Sequence, residues 1–326
     1  MSSDSFSIVV ISHLGGEMLA RCVASIAPQM MPSDELMVLI SAEPGQVDTE
    51  SLSVPCVQLG ANVGFARAAN RGFRRSKNPR VLLLNDDTEA EAGFLDHLRD
   101  ASSQAGIYQP KILLADGSGR LDNVGHGLFP DGSNWARGRK DQDSGDYDTP
   151  QEIGACSGAA MLISREVLES IGPFDGDLEA FGEDVDFSLR ARRAGFPIRT
   201  VPAARIQHHL GASYGRYAPK KMYLVERNRL RAAVRSLPAS ALVTMPLWTG
   251  IRLLGLSAAS IGGKGYAAGV GKRGAVATAG GLLAGVAFLP DALKKRRLDA
   301  EKWTVSEAGM WSALVRHRVR LEDVFR

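Results

Sequence analysis

Short apolar runs alternate with stretches of helical spacing through the N-terminal part of this chain, and that alternation restricts the fold more than any other feature. Residues 7–12, 36–41, 56–59 and 81–84 read as buried strands rich in β-branched and aliphatic side chains. Residues 18–26, 65–75 and 91–101 carry apolar positions at helical spacing. Gly15-Gly16 breaks the first strand, and Asn62-Val63-Gly64 opens the second helix. This order predicts an α/β fold, Rossmann-like, with a mainly parallel sheet flanked by helices. Ligands of such sheets bind beyond the carboxyl ends of the strands. Asn85-Asp86-Asp87 stands at one such end.

Further along, residues 130–151 are polar, rich in Gly and Asp and without periodicity, which predicts a long loop able to act as a lid. Residues 154–164 return to a strand-like run of small and apolar residues. Helices are expected over 185–194 and 217–236, with an apolar run from Val201 to His208-His209 between them. A first unit over 1–236 and a helical C-terminal appendage over 237–326 follow from a change of character after Pro238. Residues 241–261 and 275–289 are apolar, but Pro246 and Arg252 interrupt the first, and the second falls short of the roughly 20 residues of a span. The glycine-rich, basic stretch between them lacks the Ser or Thr that a phosphate loop needs after its Lys, since Arg273 follows Lys272.

The formal charge of the 326 residues is +3, too small to imply a nucleic-acid partner. Basic residues gather late, at Lys294-Lys295-Arg296-Arg297, Arg316, Arg318 and Arg320, an asymmetry that suits an anionic surface such as a membrane. The three cysteines, Cys22, Cys56 and Cys156, are widely spaced and odd in number, as expected of free thiols in a reducing compartment. The first residues carry no basic stretch before an apolar one, so no signal peptide is expected, and the cytoplasm is the expected location.

Three clusters carry chemistry. Asn85-Asp86-Asp87 can supply oxygen ligands to a divalent cation, or it can be an acidic turn before a helix. Gly182-Glu183-Asp184-Val185-Asp186 can supply a general base, or it can cap a helix, with Asp186 pairing Arg190 four residues on. His208 and His209 point to opposite faces of a strand, so one can reach a metal while either can be structural. Asn62 can line a ligand pocket or cap its helix.

In combination, the series SIVVISH, NVGFARAANRGF, VLLLNDDT, GACSGAAMLISREVLESIGPFD, FGEDVDFSLRARRAGF, RIQHHLGASYG and YLVERNRLR resembles glycosyltransferase family 2, inverting enzymes of the GT-A fold. The resemblance implies that Asp184 is the catalytic base with Glu183 beside it, and that Asp87 and His208 hold Mg²⁺ or Mn²⁺. It further implies a nucleotide-sugar pocket drawing on Ser12, Glu43, Asn62, Gly64, Asn70, Asn85 and Asp86, and an acceptor side drawing on Ser157, Gly158 and Asp186. Two departures stand out: Ser41-Ala42-Glu43-Pro44 replaces the family's Asp-Asn-x-Ser, leaving Glu43 as the substitute contact to the base, and Ser12-His13 replaces Thr-Tyr-Asn. The Gln-x-x-Arg-Trp of processive synthases is absent, which favours one sugar per encounter. The style of EDVDFSLR and HHLGAS is similar to bacterial rhamnosyltransferases using dTDP-L-rhamnose. Transfer from UDP-galactofuranose or a UDP-N-acetylhexosamine stays open, as does a non-catalytic glycan- or nucleotide-binding relative. The implied acceptor is a cell-envelope or polyprenyl-linked glycan. A nucleotidyltransferase would need a basic glycine-rich loop after the first strand, whereas residues 12–17 carry no Lys or Arg.

Overall fold

Every residue of the first strand, β1 (Phe6–Ser12), is buried, and successive side chains face opposite sides of the sheet. Phe6, Ile8 and Val10 enter one apolar cluster, while Val9 and Ile11 enter the other. The same period of two divides β2 (Glu35–Ile40) and β4 (Arg80–Asn85) between the faces, so both sides of the sheet are covered. The computed structural model describes residues 4–49, 52–210, 218–261, 271–320 and 323.

β1 pairs in parallel with β2 on one side and β4 on the other, and β3 (Cys56–Gln58) extends the sheet beyond β2. The strand order 3-2-1-4 means the chain moves outward from β1 and then returns to its opposite side. Residues at the carboxyl ends of β1 and β4, among them Ile11, His13 and Asn85–Asp87, line a common crevice. Helices α1 (Gly16–Ile26), α2 (Phe65–Arg75) and α3 (Phe94–Ala101) cover the sheet. α2 approaches β1 closely at Gly72, where a Cβ would fall 2.4 Å from Val9 Cγ1.

The rest of the sheet is mixed. β10 (Ala160–Ser164) runs antiparallel between β4 and β6 (Ile107–Leu114). β11 (Ile198–His208) then runs parallel to β6, and β5 (Thr88–Ala90) closes the edge antiparallel to β11. β7 (Leu121–Asn123) pairs with β6, and β8 (His126–Leu128) forms a separate ribbon with β9 (Asn134–Ala136). Helices α4 (Arg165–Ile171), α5 (Glu183–Arg193) and α6 (Pro219–Ser236) follow their strands.

Residues 154–164 form a strand only from Ala160. Residues 130–151 contain the short strand β9, and Asp131 and Asp143 are anchored in ion pairs. β6 was not expected, since Gln109, Pro110 and Lys111 interrupt its apolar pattern. Lys111 is nevertheless buried, with its ammonium bonded to Asp143 and Asp148. Residues 211–217 and 262–270, which hold most of the expected histidine-motif tail and the glycine-rich basic stretch, lie outside the described residues.

Beyond Pro238 come α7 (Ala239–Ile261), α8 (Lys272–Ala287), α9 (Leu289–Ala300) and α10 (Glu307–Arg316). α7 and α10 share an apolar cluster with α5 and α6 through Val185, Leu189, Ala233, Ala241 and Leu314. A buried ion network ties these parts together: Arg252 Nε lies 2.7 Å from Asp131 Oδ2, and its Nη1 lies 2.8 Å from Glu226 Oε1. Removing one partner leaves an unpaired buried charge, so Asp131→Ala should lower unfolding stability by about 3–5 kcal/mol in denaturant titration. A loss under 1 kcal/mol would show that the network does not hold α7 to the 130s loop.

Candidate active site

The crevice at the ends of β1 and β4 is a cleft of 2120 Å³. At its floor the β4 carboxyl end is held rigidly. Asn85 N donates to Ala159 O at 2.9 Å, Asp86 N to Ile11 O at 3.2 Å, and Ser12 Oγ to Asp86 Oδ2 at 2.5 Å. Burial, reinforced by the neighbouring Asp87 and opposed by the Ser12 hydroxyl, raises Asp86 to about 6. Ser12 is fully buried, does not line the cleft and also accepts from Gly15 N at 3.0 Å. Its expected place in the donor pocket is therefore corrected to that of a support beneath Asp86.

The opposite lip of β1 is built from His13, Ser41 and Asn62. His13 Nδ1 donates to Ser41 O at 2.8 Å, Ser41 Oγ accepts from Val63 N at 3.1 Å, and Asn62 Oδ1 accepts from Gly64 N at 3.1 Å. Gly64 takes φ 82° and approaches Glu179, whose O would lie 3.1 Å from an added Cβ. Glu43 is exposed and stands outside the cleft, so the side chains at this end are those of His13 and Ser41. Asn70 reaches the cleft wall, but its amide is spent on both Phe174 O (2.9 Å) and Phe174 N (3.0 Å), which makes it a brace rather than a free ligand group.

Asp184 enters the cleft from the first turn of α5. Its Oδ2 accepts from Gly158 N at 2.9 Å and its Oδ1 from Val185 N at 2.8 Å. Gly158 is required there because a Cβ would already touch Phe65 Cε1 at 3.3 Å. The backbone turns into α5 through Glu179 and Phe181, both at positive φ, and Gly182 at φ 94°. That strained entry is pinned from α6: Asn228 Nδ2 donates to Leu178 O, Ala180 O and Phe181 O at 2.7, 3.0 and 2.7 Å. Arg227 adds a bond to Glu179 Oε1 at 3.1 Å. Both residues lie in the YLVERNRLR stretch, where no local pattern marks this task.

Glu183 and Asp184 diverge, as adjacent helix residues must. Glu183 is buried, its Oε2 has no partner, and burial next to Asp184 holds its carboxyl well above the usual range. Burial thus biases Glu183 toward its neutral form, in which it cannot take a proton from an acceptor. Asp186 is also displaced from its expected acceptor-side role: it is 1% exposed, lies outside the cleft lining and pairs with Arg190 at 2.8 Å and Arg235 at 3.3 Å.

At the other end, His208 stands between two acids. Its Nε2 lies 3.3 Å from Asp87 Oδ1, and its Nδ1 lies 3.0 Å from Asp122 Oδ2. Burial opposes its protonation, but the bonds to Asp122 and Asp87 prevail and raise it to about 9. Asp122, carried by β7 and bonded to Arg139 Nη1 at 2.5 Å, was missed in the sequence. The Leu121-Asp122-Asn123 stretch has neither the length nor the apolar run that marked the other strand ends. His209 points away and meets Glu89 at 2.6 Å, which fits the opposite-face expectation.

Among the described residues, no group of three or more His, Cys, Asp or Glu side chains is set to hold a metal unaided. Asn85 Oδ1 is nonetheless buried without a hydrogen-bond partner, and Asp87 Oδ1 faces only the His208 ring at 3.3 Å, in a spot whose acids already demand positive charge. That donor set fits a hard cation completed by substrate phosphate oxygens, the usual coordination of Mg²⁺.

Residues 4–234 match the family described as Glycosyltransferase like family 2. The chain belongs to that family. It is 27% identical over 248 residues to the N-acetylglucosaminyl-diphospho-decaprenol L-rhamnosyltransferase of Mycobacterium tuberculosis, covering 66% of this chain and 79% of the relative. GalNAc-T7, solved with UDP, GalNAc and Mn²⁺, superposes with TM-score 0.58 at 16% identity, covering 74% of this chain. The match spans only 49% of GalNAc-T7. A mannosyltransferase from Pyrobaculum calidifontis, solved with GDP-Man and Mn²⁺, gives TM-score 0.50 at 15% identity over 96% of this chain and 86% of its own. The fold is GT-A and the protein is a glycosyltransferase.

The Glu183 environment yields a test. Its raised native pKa means its stabilising contribution is complete below the ordinary carboxyl range and is lost as pH rises toward the native value. Glu183→Gln, which mimics the neutral form, should flatten the decline in urea midpoint as pH rises above the ordinary carboxyl range. An unchanged pH slope would show that Glu183 is ionised in the folded protein.

Proposed function

We propose that this glycosyltransferase moves one L-rhamnosyl unit from dTDP-L-rhamnose to a hydroxyl of a polyprenyl-linked, cell-envelope glycan, with inversion. The observation that carries the transfer chemistry is the placement of Asp184 in the same cleft as Asn85, Asp86 and Asp87. The sugar and the acceptor class are supported by the rhamnosyltransferase relative, whose name specifies a diphospho-decaprenol-linked acceptor.

In this reading the acceptor hydroxyl attacks the anomeric carbon from the face away from the nucleotide. The new oxygen–carbon bond forms as the bond to the diphosphate oxygen breaks, and the nucleoside diphosphate leaves. Asp184 takes the hydroxyl proton. Its carboxylate is already aimed by Gly158 N, so little reorganisation is needed when the acceptor arrives. Burial biases the neighbouring Glu183 toward its neutral form, which disfavours a second negative charge beside Asp184. Asp87 and His208 would hold Mg²⁺ or Mn²⁺, as the Mn²⁺ in both structural neighbours suggests, the cation taking the place of the proton that Asp122 and Asp87 favour on His208. When bound, that cation neutralises the charge that develops on the leaving diphosphate. Asn62, Gly64 and the His13–Ser41 lip would receive the nucleoside, in place of the acid that this chain lacks after β2.

Calorimetric titration of dTDP, UDP, GDP and CDP, with and without Mn²⁺, tests the donor side. We expect dTDP to bind most tightly, only with metal, and not to Asp87→Ala. Preference for UDP would replace rhamnose with a UDP-sugar, and no binding to folded protein would overturn the transferase pocket. For the chemical step, Asp184→Asn should lower turnover by about 10²–10⁴-fold with donor binding retained. Near-normal turnover would remove Asp184 as the base.

A further inference from the structure

α7 is built inside out for a helix in water. Its one charged residue, Arg252, is 4% exposed and faces inward to Asp131 and Glu226. Its outward face carries Val243, Pro246, Leu247 and Leu254, with Val243, Leu247 and Leu254 at 81, 65 and 74% exposure. These positions recur at helical spacing, so they form one uncharged stripe.

α8 repeats the pattern. It packs on α6 through glycines: a Cβ on Gly281 would fall 2.3 Å from Tyr223 O, and one on Gly285 would fall 2.6 Å from Leu230 Cδ1. Close packing through small residues leaves the larger side chains on the outside, as in helices that meet lipid. Val276, Leu283 and Val286 are accordingly 72, 72 and 53% exposed.

Charge frames these faces. Lys272 and Arg273 are exposed at the start of α8. On α9, which meets α8 at a 54° bend, Lys294 and Arg297 are exposed beside Leu293 and Leu298. Long cationic side chains next to exposed leucines suit a headgroup layer, with apolar groups below and charge at the phosphates.

Residues Ala239–Ala258 of α7 are long and apolar enough to cross a bilayer, with mean hydropathy 1.3. Contacts along its length argue against crossing. Met245 packs on the α5–α6 cluster, Trp248 meets Phe129 edge-on at 5.7 Å, and Arg252 is bonded to the 130s loop. A helix held flat against the catalytic part offers a side, not an end, to the membrane.

We propose that the outer faces of α7 and α8, with the basic rim of α8 and α9, dock on an anionic lipid bilayer as an interfacial anchor. The cleft adjoins these helices, since Leu253 and Leu256 of α7 and Phe288 after α8 line it. An acceptor carried on a lipid would reach Asp184 without leaving the surface. That consequence rests on the reading of a polyprenyl-linked acceptor; the docking itself does not.

The test is flotation of the full chain with vesicles of phosphatidylglycerol and phosphatidylcholine, against phosphatidylcholine alone. The protein should float with anionic vesicles, and the neutral ones should capture at least about 10-fold less, as expected if each basic residue near the surface contributes about 1 kcal/mol. Leu247→Asp with Leu254→Asp, and separately Leu283→Asp with Val286→Asp, should abolish flotation while nucleotide binding is retained. Lys294→Gln with Arg297→Gln, which leaves the apolar face intact, should weaken it by several-fold. Protein that stays soluble with every vesicle overturns the proposal, as does flotation unchanged in the Asp variants. So does a lipid-free dimer in light scattering that the same substitutions dissociate, because a second copy would then cover the face. Vesicle binding is read without donor or acceptor, so its failure leaves the transferase reading untouched.

Discussion

The reversal of strand order at β1 is the constraint on which the site depends. β2 and β4 lie on opposite sides of β1, and the cleft opens at the carboxyl ends of β1 and β4, where Ile11, His13 and Asn85–Asp87 line it. Three backbone and side-chain bonds, from Asn85 N, Asp86 N and Ser12 Oγ, then fix the acidic end of β4 at its floor. Without that anchoring, two adjacent carboxylates would separate to relieve their repulsion. With it, burial raises Asp86 to about 6 and the Ser12 hydroxyl holds its Oδ2, whereas Asp87 is the acid that meets His208.

The catalytic wall is held by a different device. α5 can begin at Glu183 only after three residues with positive φ, two of them not glycine, and the cost of that backbone is met by α6. Asn228 is completely buried and spends its amide on three carbonyls of the turn. A longer or charged side chain at that position would have to displace the loop. The position of Asp184 therefore depends on a residue far along the chain that touches no reacting atom.

How much of this was legible follows from the same physics. β1, β2, β4 and α2 were readable because burial on both faces writes continuous aliphatic runs, and helix packing writes a period near four. β6 was not, because its polar residues are paired tertiary partners: Lys111 reads as a strand breaker until Asp143 and Asp148 are seen beside it. Asp87 and His208 were nameable because they stand at or just past the end of a strand, and Asp184 because it opens a helix. Asp122 sits in a three-residue strand, and its value lies in meeting His208 across a long separation in sequence. Asp186 shows the converse error, since the residue that best completes an acidic motif turned out to be committed to Arg190 and Arg235. Local sequence displays a charge but not its partner.

The C-terminal helices carry that lesson further. Buried charges such as Arg229, Arg252 and Asp131 cost desolvation energy that pairing only offsets, so they add little net stability. Their effect is on geometry: each pair fixes one helix against one loop at a defined position. By drawing the charges of α6 and α7 inward, the network leaves only uncharged side chains for the outer stripe of α7. A single rearrangement, polar groups inside and apolar groups outside, thus braces the cleft and prepares the surface next to it. The two effects share the same residues, so loss of the Arg252 contacts would free an unpaired charge to turn outward and would disturb the wall of the site as well as its exterior.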